Sequence, residues 1–288
     1  MNFPYVILTD SCADLPAKIA EEYGINSFPL EIHYENGDIE KNDTVDVKAF
    51  FARLRGKEKV TTSAVNMEGF LGFFEPYLKA GKDILYLGFS SGLSATYKAS
   101  ELAAEELCEK YPERKIYTVD TLAASLGQGL LVVHAAMRRA AGDSIEEVYR
   151  FVEDNKLHLC HWFTVDDLFF LKRGGRVSAA TAVLGTMLSI KPVLHVDNDG
   201  HLIKVSTARG RKASIVALLN KMKATVIDPE EHLFYICHGD CLDDATLLSD
   251  MIKEAYPNAT VMIDYVGPVI AAHSGPGTLA LFYLGKER

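Results

Sequence analysis

The chain of 288 residues has few cysteines, no long hydrophobic run and a deficit of positive charge. Its five cysteines (Cys12, Cys108, Cys160, Cys237 and Cys241) are odd in number and scattered. That argues against a disulfide framework and for reduced thiols in the cytoplasm. No apolar stretch approaches the roughly 20 residues of a membrane helix. The nearest, residues 122 to 137, is broken by Ser125, Gln128 and His134 and reads as a buried helix of a globular protein. The first residues lack a basic leader region and reach Asp10 too early for a secretory signal. With 30 Lys and Arg against 39 Asp and Glu the net charge is −9, which argues against sequence-independent nucleic-acid binding as the main function. No G-x-x-x-x-G-K-[ST] loop occurs, and no G-x-G-x-x-G follows a strand, so the common phosphate-binding loops are missing.

What the chain does have is apolar material for a sizeable core, 48% of residues, and length for roughly two domains. Residues 5–8, 83–89 and 115–119 are apolar runs, each followed by a polar loop and a helical stretch. This βαβ pattern predicts a parallel, Rossmann-like α/β domain over residues 1–155. Asp14 before Leu15-Pro16 reads as an N-cap acid with an early proline. Phe70, Phe73, Phe74, Tyr77 and Leu78 keep helical spacing, although Pro76 is expected to kink or end that helix. Ser144 and Glu147 form a capping box. Residues 192–196 and 201–207 flank Asp197-Asn198-Asp199-Gly200, a hairpin pattern. Helices at about 212–223 and 242–255 follow, with strands at 233–237, 260–266 and 278–284. Residues 156–288 therefore read as an α+β domain with a mixed or antiparallel sheet.

Ligands of open parallel sheets sit beyond the carboxyl ends of the strands. Three polar loops belong there: Thr9-Asp10-Ser11, Ser90 to Ser94, and Asp120-Thr121. The Ser90 to Ser94 loop also opens a helix, where free N–H groups favour an anion. It contains Gly88-Phe89-Ser90-Ser91-Gly92, a G-x-S-x-G pattern between strand and helix, so a serine hydrolase using Ser90, Asp264 and His273 is the alternative reading. Zinc spacing is poor in the Cys237-His238/Cys241 and His158/Cys160/His161 groups, which read as core. Gly127-Gln128-Gly129 lies inside a helical run and reads as a packing feature. Thr61-Thr62-Ser63 clusters hydroxyls ahead of a helix, serving as caps or as ligand donors. Leu171-Lys172-Arg173-Gly174-Gly175-Arg176 joins cations to a glycine turn, suited to carboxylate or phosphate. His273 lies in a loop of small residues, Gly267 to Thr278.

Taken together and in order, these segments resemble the DegV family, the fatty-acid-binding proteins of bacterial FakB type. The resemblance rests on Thr9-Asp10-Ser11, Thr62-Ser63, Ser91 to Tyr97, Val119-Asp120-Thr121, Leu171 to Arg176 with Lys191-Pro192, Gly267-Pro268-Val269-Ile270, and His273 with Gly275-Pro276-Gly277. It implies a two-domain α/β protein that holds one long-chain fatty acid between its domains. It implies further that the carboxylate is presented to a separate ATP-dependent fatty acid kinase, which makes an acyl phosphate for phospholipid synthesis. No turnover of its own, no cofactor, no metal and no stable membrane insertion are expected. By motif position, Thr62, Ser63, Ser94 and His273 bind the carboxylate and Arg173 supports that site. Arg176 and Arg209 contact the kinase. Leu168 to Leu171 and Val183 to Leu188 are candidate walls for the tail. Where the family commonly has Gln-Pro after Thr-Ser, this chain has Ala64-Val65, and Ala95 and Ala271 replace usual glycines.

Charge is also unevenly spread. Lys172 to Lys212 holds eight Lys and Arg against Asp197 and Asp199, a net +6 within a remainder of −15. This predicts a basic docking face for an acidic or phosphate-bearing partner.

Overall fold

The computed structural model describes residues 3–178, 190–229 and 233–288. Elements are numbered in chain order among these. The first sheet is wholly parallel, with β2 (Ile25–Phe28), β1 (Tyr5–Asp10), β6 (Asp83–Gly88) and β7 (Ile116–Asp120) side by side in that order. Its central strands are buried on both faces, as their unbroken apolar runs require. Helices α3 (Met67–Lys79) and α4 (Thr96–Lys110) pack against β6 and against each other. Helices α5 (Ser125–Ala141) and α6 (Ile145–Asn155) also pack against β6, with α5 reaching β1 and α6 reaching β7. The short α1 (Ala17–Tyr23) lies on α5.

The second sheet has six strands: β10 (Leu202–Arg209), β9 (Ile190–Val196), β8 (Leu159–Thr164), β13 (Leu279–Leu284), β11 (Leu233–His238) and β12 (Thr260–Tyr265). All neighbours run antiparallel except β11 and β12. Helices α8 (Arg211–Thr225) and α9 (Leu242–Ala255) cover one face with a core that includes Trp162, Leu218, Phe234 and Ile252. The other face meets α5, which touches β8, β11 and β13. One helix therefore fills the space between two sheets. That accounts for its burial on nearly every side, from Leu126 to Ala136. Gly127 and Gly129 are what let the layers close. A Cβ on Gly127 would stand 2.4 Å from His161 Nε2, and one on Gly129 2.6 Å from the Ala13 carbonyl.

A third sheet, β4 (Ile39–Lys41), β3 (Glu31–Tyr34) and β5 (Val60–Ser63), is small and antiparallel. The residue pattern did not predict it. Thr61-Thr62-Ser63 belong to β5 and cap no helix. Asn66 caps α3 instead, accepting from the Gly69 amide at 2.9 Å. Pro76 does not end α3, which runs to Lys79. It falls within the last turn, so only Gly72's carbonyl loses its donor, and Gly72 has open space beside it. Asp14 is likewise no cap for α1, whose N-terminal flank is Pro16. It adopts φ +50° and turns towards α5. The Ser144 capping box forms as expected.

The halves also meet at the β9–β10 turn. Ser90 Oγ donates to the Gly200 carbonyl at 2.9 Å, and Gly92 is pressed against the same turn. Arg288 spans the junction, donating to the carbonyls of Leu122 (2.7 Å), Asp197 (3.0 Å), Thr121 (3.4 Å) and Lys156 (2.5 Å). A Cβ on Gly92 would lie 2.7 Å from the Asp199 carbonyl, a backbone atom with no rotamer to yield. Gly92→Ala should therefore cost about 1–3 kcal/mol. A thermal melt checks this, and an unchanged midpoint would refute the close docking.

Candidate functional site

Between the carboxyl ends of the parallel strands and the six-stranded sheet lies a cavity of about 160 Å³. Its walls are mostly apolar: Leu30, Phe89, Leu93, Phe163, Leu171, Val196, Leu202, Val266, Val269, Ile270, Ala280 and Phe282. Thr62, Ser63, Ser94, Arg176 and His273 bring polar groups to it from four separate elements.

Each is placed by local structure. Thr62 and Ser63 end β5. Helix α10 (Pro268–Ser274) begins with proline after Gly267 and packs on β3, β5, α2 (Val47–Arg55) and α7 (Phe169–Arg173). This sets His273 Nε2 2.8 Å from Thr62 Oγ1. Its Nδ1 is buried against Gly174, where a Cβ would intrude to 2.2 Å. Of the two glycines in the Arg173–Arg176 turn, Gly174 makes room for the imidazole and Gly175 supplies φ +74°. Ser94 precedes α4. Its Oγ lies 2.9 Å from Thr96 Oγ1 and accepts from the Thr96 amide at 3.2 Å. Thr96 Oγ1 also accepts from the Val65 amide, joining the Ser94 loop to the Thr62 strand. The loop is held below by two acids. Asp10 Oδ2 accepts from the Phe89 amide at 2.9 Å, and Asp120 Oδ1 accepts from the Ser91 amide at 3.2 Å.

The two arginines of the glycine turn take different places, and Arg173 also donates to the Ala272 carbonyl next to His273 at 3.5 Å. Arg176 lines the cavity and donates through Nε to the Leu93 carbonyl at 3.1 Å. Arg173 is exposed, lies over Phe170 and faces a separate surface groove with Arg55, Lys57, Lys59 and Phe169. Arg209 is exposed at the end of β10, away from the cavity lining. Within the basic segment Lys191 pairs with Asp166 (2.7 Å) and Arg211 with Asp244 (2.8 Å), while Lys172, Arg173, Arg209 and Lys212 stand exposed. Leu171 lines the cavity, and Leu168 is buried core. Val183 to Leu188 fall outside the described residues.

The hydrolase geometry is not formed. Ser90 Oγ donates to the Gly200 carbonyl and accepts from the Gly92 amide, and His273 is bonded to Thr62. Asp264 accepts from the Tyr265 amide. The cysteine–histidine groups do not converge either. Cys160 and His161 project to opposite faces of β8, Cys160 into the α8/α9 core and His161 into the cavity. Cys237 Sγ lies 3.4 Å from Ser125 Oγ.

Residue patterns alone missed four polar groups at or beside the cavity: Asp14, Ser125, His161 and Ser274. Ser125 has φ +56° and donates to Asp14 Oδ2 at 2.5 Å. Its position just after the Asp120-Thr121 loop was the available sign. Burial is the main force that pushes the Asp14 carboxyl up to about 7, against the Ser125 bond that lowers it. Burial also pushes His273 down to about 4, aided by Arg176 and Arg173. The cavity thus presents a neutral imidazole at pH 7.

The cavity is thus an apolar chamber lined by hydroxyls, a neutral imidazole and one guanidinium. The chain belongs to the DegV family, whose pattern it matches over residues 4–286 and whose members carry the description of uncharacterised proteins. A DegV domain-containing protein of Clostridium perfringens is 47% identical over 286 residues, 99% of this chain and 98% of the relative. A DegV family protein of Thermus thermophilus, solved as a fatty-acid-binding structure, superposes with a TM-score of 0.88. The two are 31% identical, covering 98% of this chain and 99% of that one. A DegV lipid-binding protein of Thermotoga maritima gives 0.87 at 30% identity, with 99% of each chain covered.

Opposed titrations give a test of the site. Asp14 holds its proton when folded up to about pH 7 and releases it near 4 when unfolded, so its contribution to stability is lost as pH rises through that window. His273 binds its proton near 6.5 when unfolded and near 4 when folded, so its contribution is lost as pH falls. Asp14→Asn should steepen the rise in urea midpoint between pH 4.5 and 6.5. His273→Gln should flatten it. Parallel profiles for the variants and the wild type would contradict these assignments.

Proposed function

We propose that this protein carries one long-chain fatty acid in the cavity and presents its carboxylate to an ATP-dependent fatty acid kinase. The observation that carries the reading is the apolar chamber with Thr62, Ser63, Ser94, His273 and Arg176 gathered at linked positions. A carboxylate drawn in behind an alkyl tail loses water and needs replacement donors. Thr62, Ser63, Ser94 and His273 supply them, with Arg176 beside Leu93 as the supporting charge. Arg173, bonded to the Ala272 carbonyl beside His273, supports that site from the exposed side, and with Lys172 and Arg209 it belongs to the basic face that receives the kinase. Residues 1–155 and 156–288 act as the two domains that enclose the chain. The kinase transfers the γ-phosphoryl group of ATP to a carboxylate oxygen, releasing ADP, and the acyl phosphate feeds phospholipid synthesis in the cytoplasm. The carrier has no turnover and no cofactor of its own. The fatty-acid and lipid binding described for the Thermus and Thermotoga proteins supports the ligand class. Among the described residues, no helix is long and apolar enough to cross a membrane.

Native mass spectrometry of the full chain should show a co-purified fatty-acid mass. Ser94→Ala and Thr62→Val should each weaken oleate binding by about tenfold or more, the value of a hydrogen bond to a charged group. A clean apo mass together with no uptake of oleate or palmitate would overturn the reading.

A further inference from the structure

The cavity runs across the strands of the six-stranded sheet. Its floor takes Leu202 from β10, Val196 from β9, Phe163 from β8, Ala280 from β13 and Cys237 from β11. Neighbouring strands lie about 4.8 Å apart, so this floor spans about 19 Å. An extended alkyl chain rises about 1.3 Å per methylene, so the floor matches about 15 of them. The register fixes which side chains stand in line. Phe163, Ala280 and Cys237 oppose one another on three adjacent strands. All three belong to the core on the cavity side, whereas Leu279 and Leu281 turn to the other face. Ala280 lines the cavity with 5% of its surface accessible, against none for Leu279 and Leu281. Side-chain size therefore falls along the floor, from Val196 and Phe163 to Ala280 and Cys237. Beyond Cys237 the space is closed. Ser125 Oγ lies 3.4 Å from Cys237 Sγ, and Asp14 holds Ser125 in place.

The polar donors lie away from this closed end. Arg176 bonds the Leu93 carbonyl and Ser94 follows Leu93, in the loop whose Gly92 presses on the β9–β10 turn. Gly267, ahead of α10, abuts Asp14 at the closed end, and His273 comes six residues later. At about 1.5 Å per residue the helix carries His273 about 9 Å from there. A chain held by its carboxylate at these donors thus points its terminus over Ala280 towards Cys237. We propose that Ala280 sets the longest acyl chain the cavity accepts, because its methyl leaves the passage from Phe163 to Cys237 open. A larger side chain at this position closes the last strand spacing, which is worth about four methylenes. The inference rests on the fatty-acid reading of the cavity and adds chain length to it.

The test uses the full chain stripped of lipid and a series of straight saturated acids from decanoate to palmitate. In the wild type each added methylene should tighten binding about fourfold, the value of burying one such group. Ala280→Leu should leave decanoate binding unchanged and stop the gain about four carbons short of the wild type, so that palmitate binds about 100-fold more weakly or worse. An equal loss on decanoate and palmitate, or palmitate binding as in the wild type, overturns the inference while the fatty-acid reading stands. Failure of every acid to bind the wild type overturns both. If Ala280→Leu does not fold, NMR of the wild type decides. The terminal methyl of ¹³C-labelled palmitate should show a nuclear Overhauser contact to the Ala280 methyl and that of decanoate none. A missing contact with palmitate, or the same contact with decanoate, refutes the proposal.

Discussion

The carboxylate of Asp10 is the point on which the site depends. Buried at the end of β1, it accepts from the Cys12 amide (3.0 Å), the Tyr86 hydroxyl (2.7 Å), the Phe89 amide (2.9 Å) and Gln128 Nε2 (3.3 Å). Burial raises its pKa and these donors oppose the rise. Through them one acid ties together β1, β6, the loop after β6 and the helix between the sheets. That loop carries Ser94 to the cavity and Gly92 to the β9–β10 turn, and the turn's strands bring Val196 and Leu202 to the cavity wall. The wall of the cavity is thus built on the hydrogen bonds of one buried carboxyl group.

The cluster of Thr62, Ser63, Ser94 and His273 has the opposite character. Its donors are hydroxyls and an imidazole kept neutral by burial, and its single cation, Arg176, is itself half-buried and bonded to backbone. Neutral donors gain from a carboxylate without imposing the desolvation of a full ion pair.

Much of the fold was legible because its signals are local. The apolar runs before Asp10, Gly88 and Asp120 marked the parallel strands, and Asp197 to Gly200 marked the hairpin. Ser144 and Glu147 fixed the start of α6. The three-stranded sheet was not legible, since β3, β4 and β5 are three or four residues long and β5 reads as a run of hydroxyls. Within the site, the chain order of Thr62, Ser94 and His273 carried the family resemblance, and all three line the cavity. The roles of Arg173 and Arg176 could not be separated by sequence. Three residues apart on a glycine turn, they diverge only through the turn's path, one exposed and reaching the Ala272 carbonyl, the other reaching the Leu93 carbonyl. Asp14 reads as a helix cap and His161 as core in the sequence, because neither sits in a ligand-binding motif. Their importance arises from burial, which no spacing announces.

Helix α5 has a consequence for how the chain comes apart. It is encoded before the second sheet begins, yet β8, β11 and β13 rest on it as closely as β1 and β6 do. Neither sheet owns it, and each would expose an apolar face on losing it. The two halves are therefore coupled in folding: opening one strips the core of the other, and the molecule should melt as a single cooperative unit despite its two sheets.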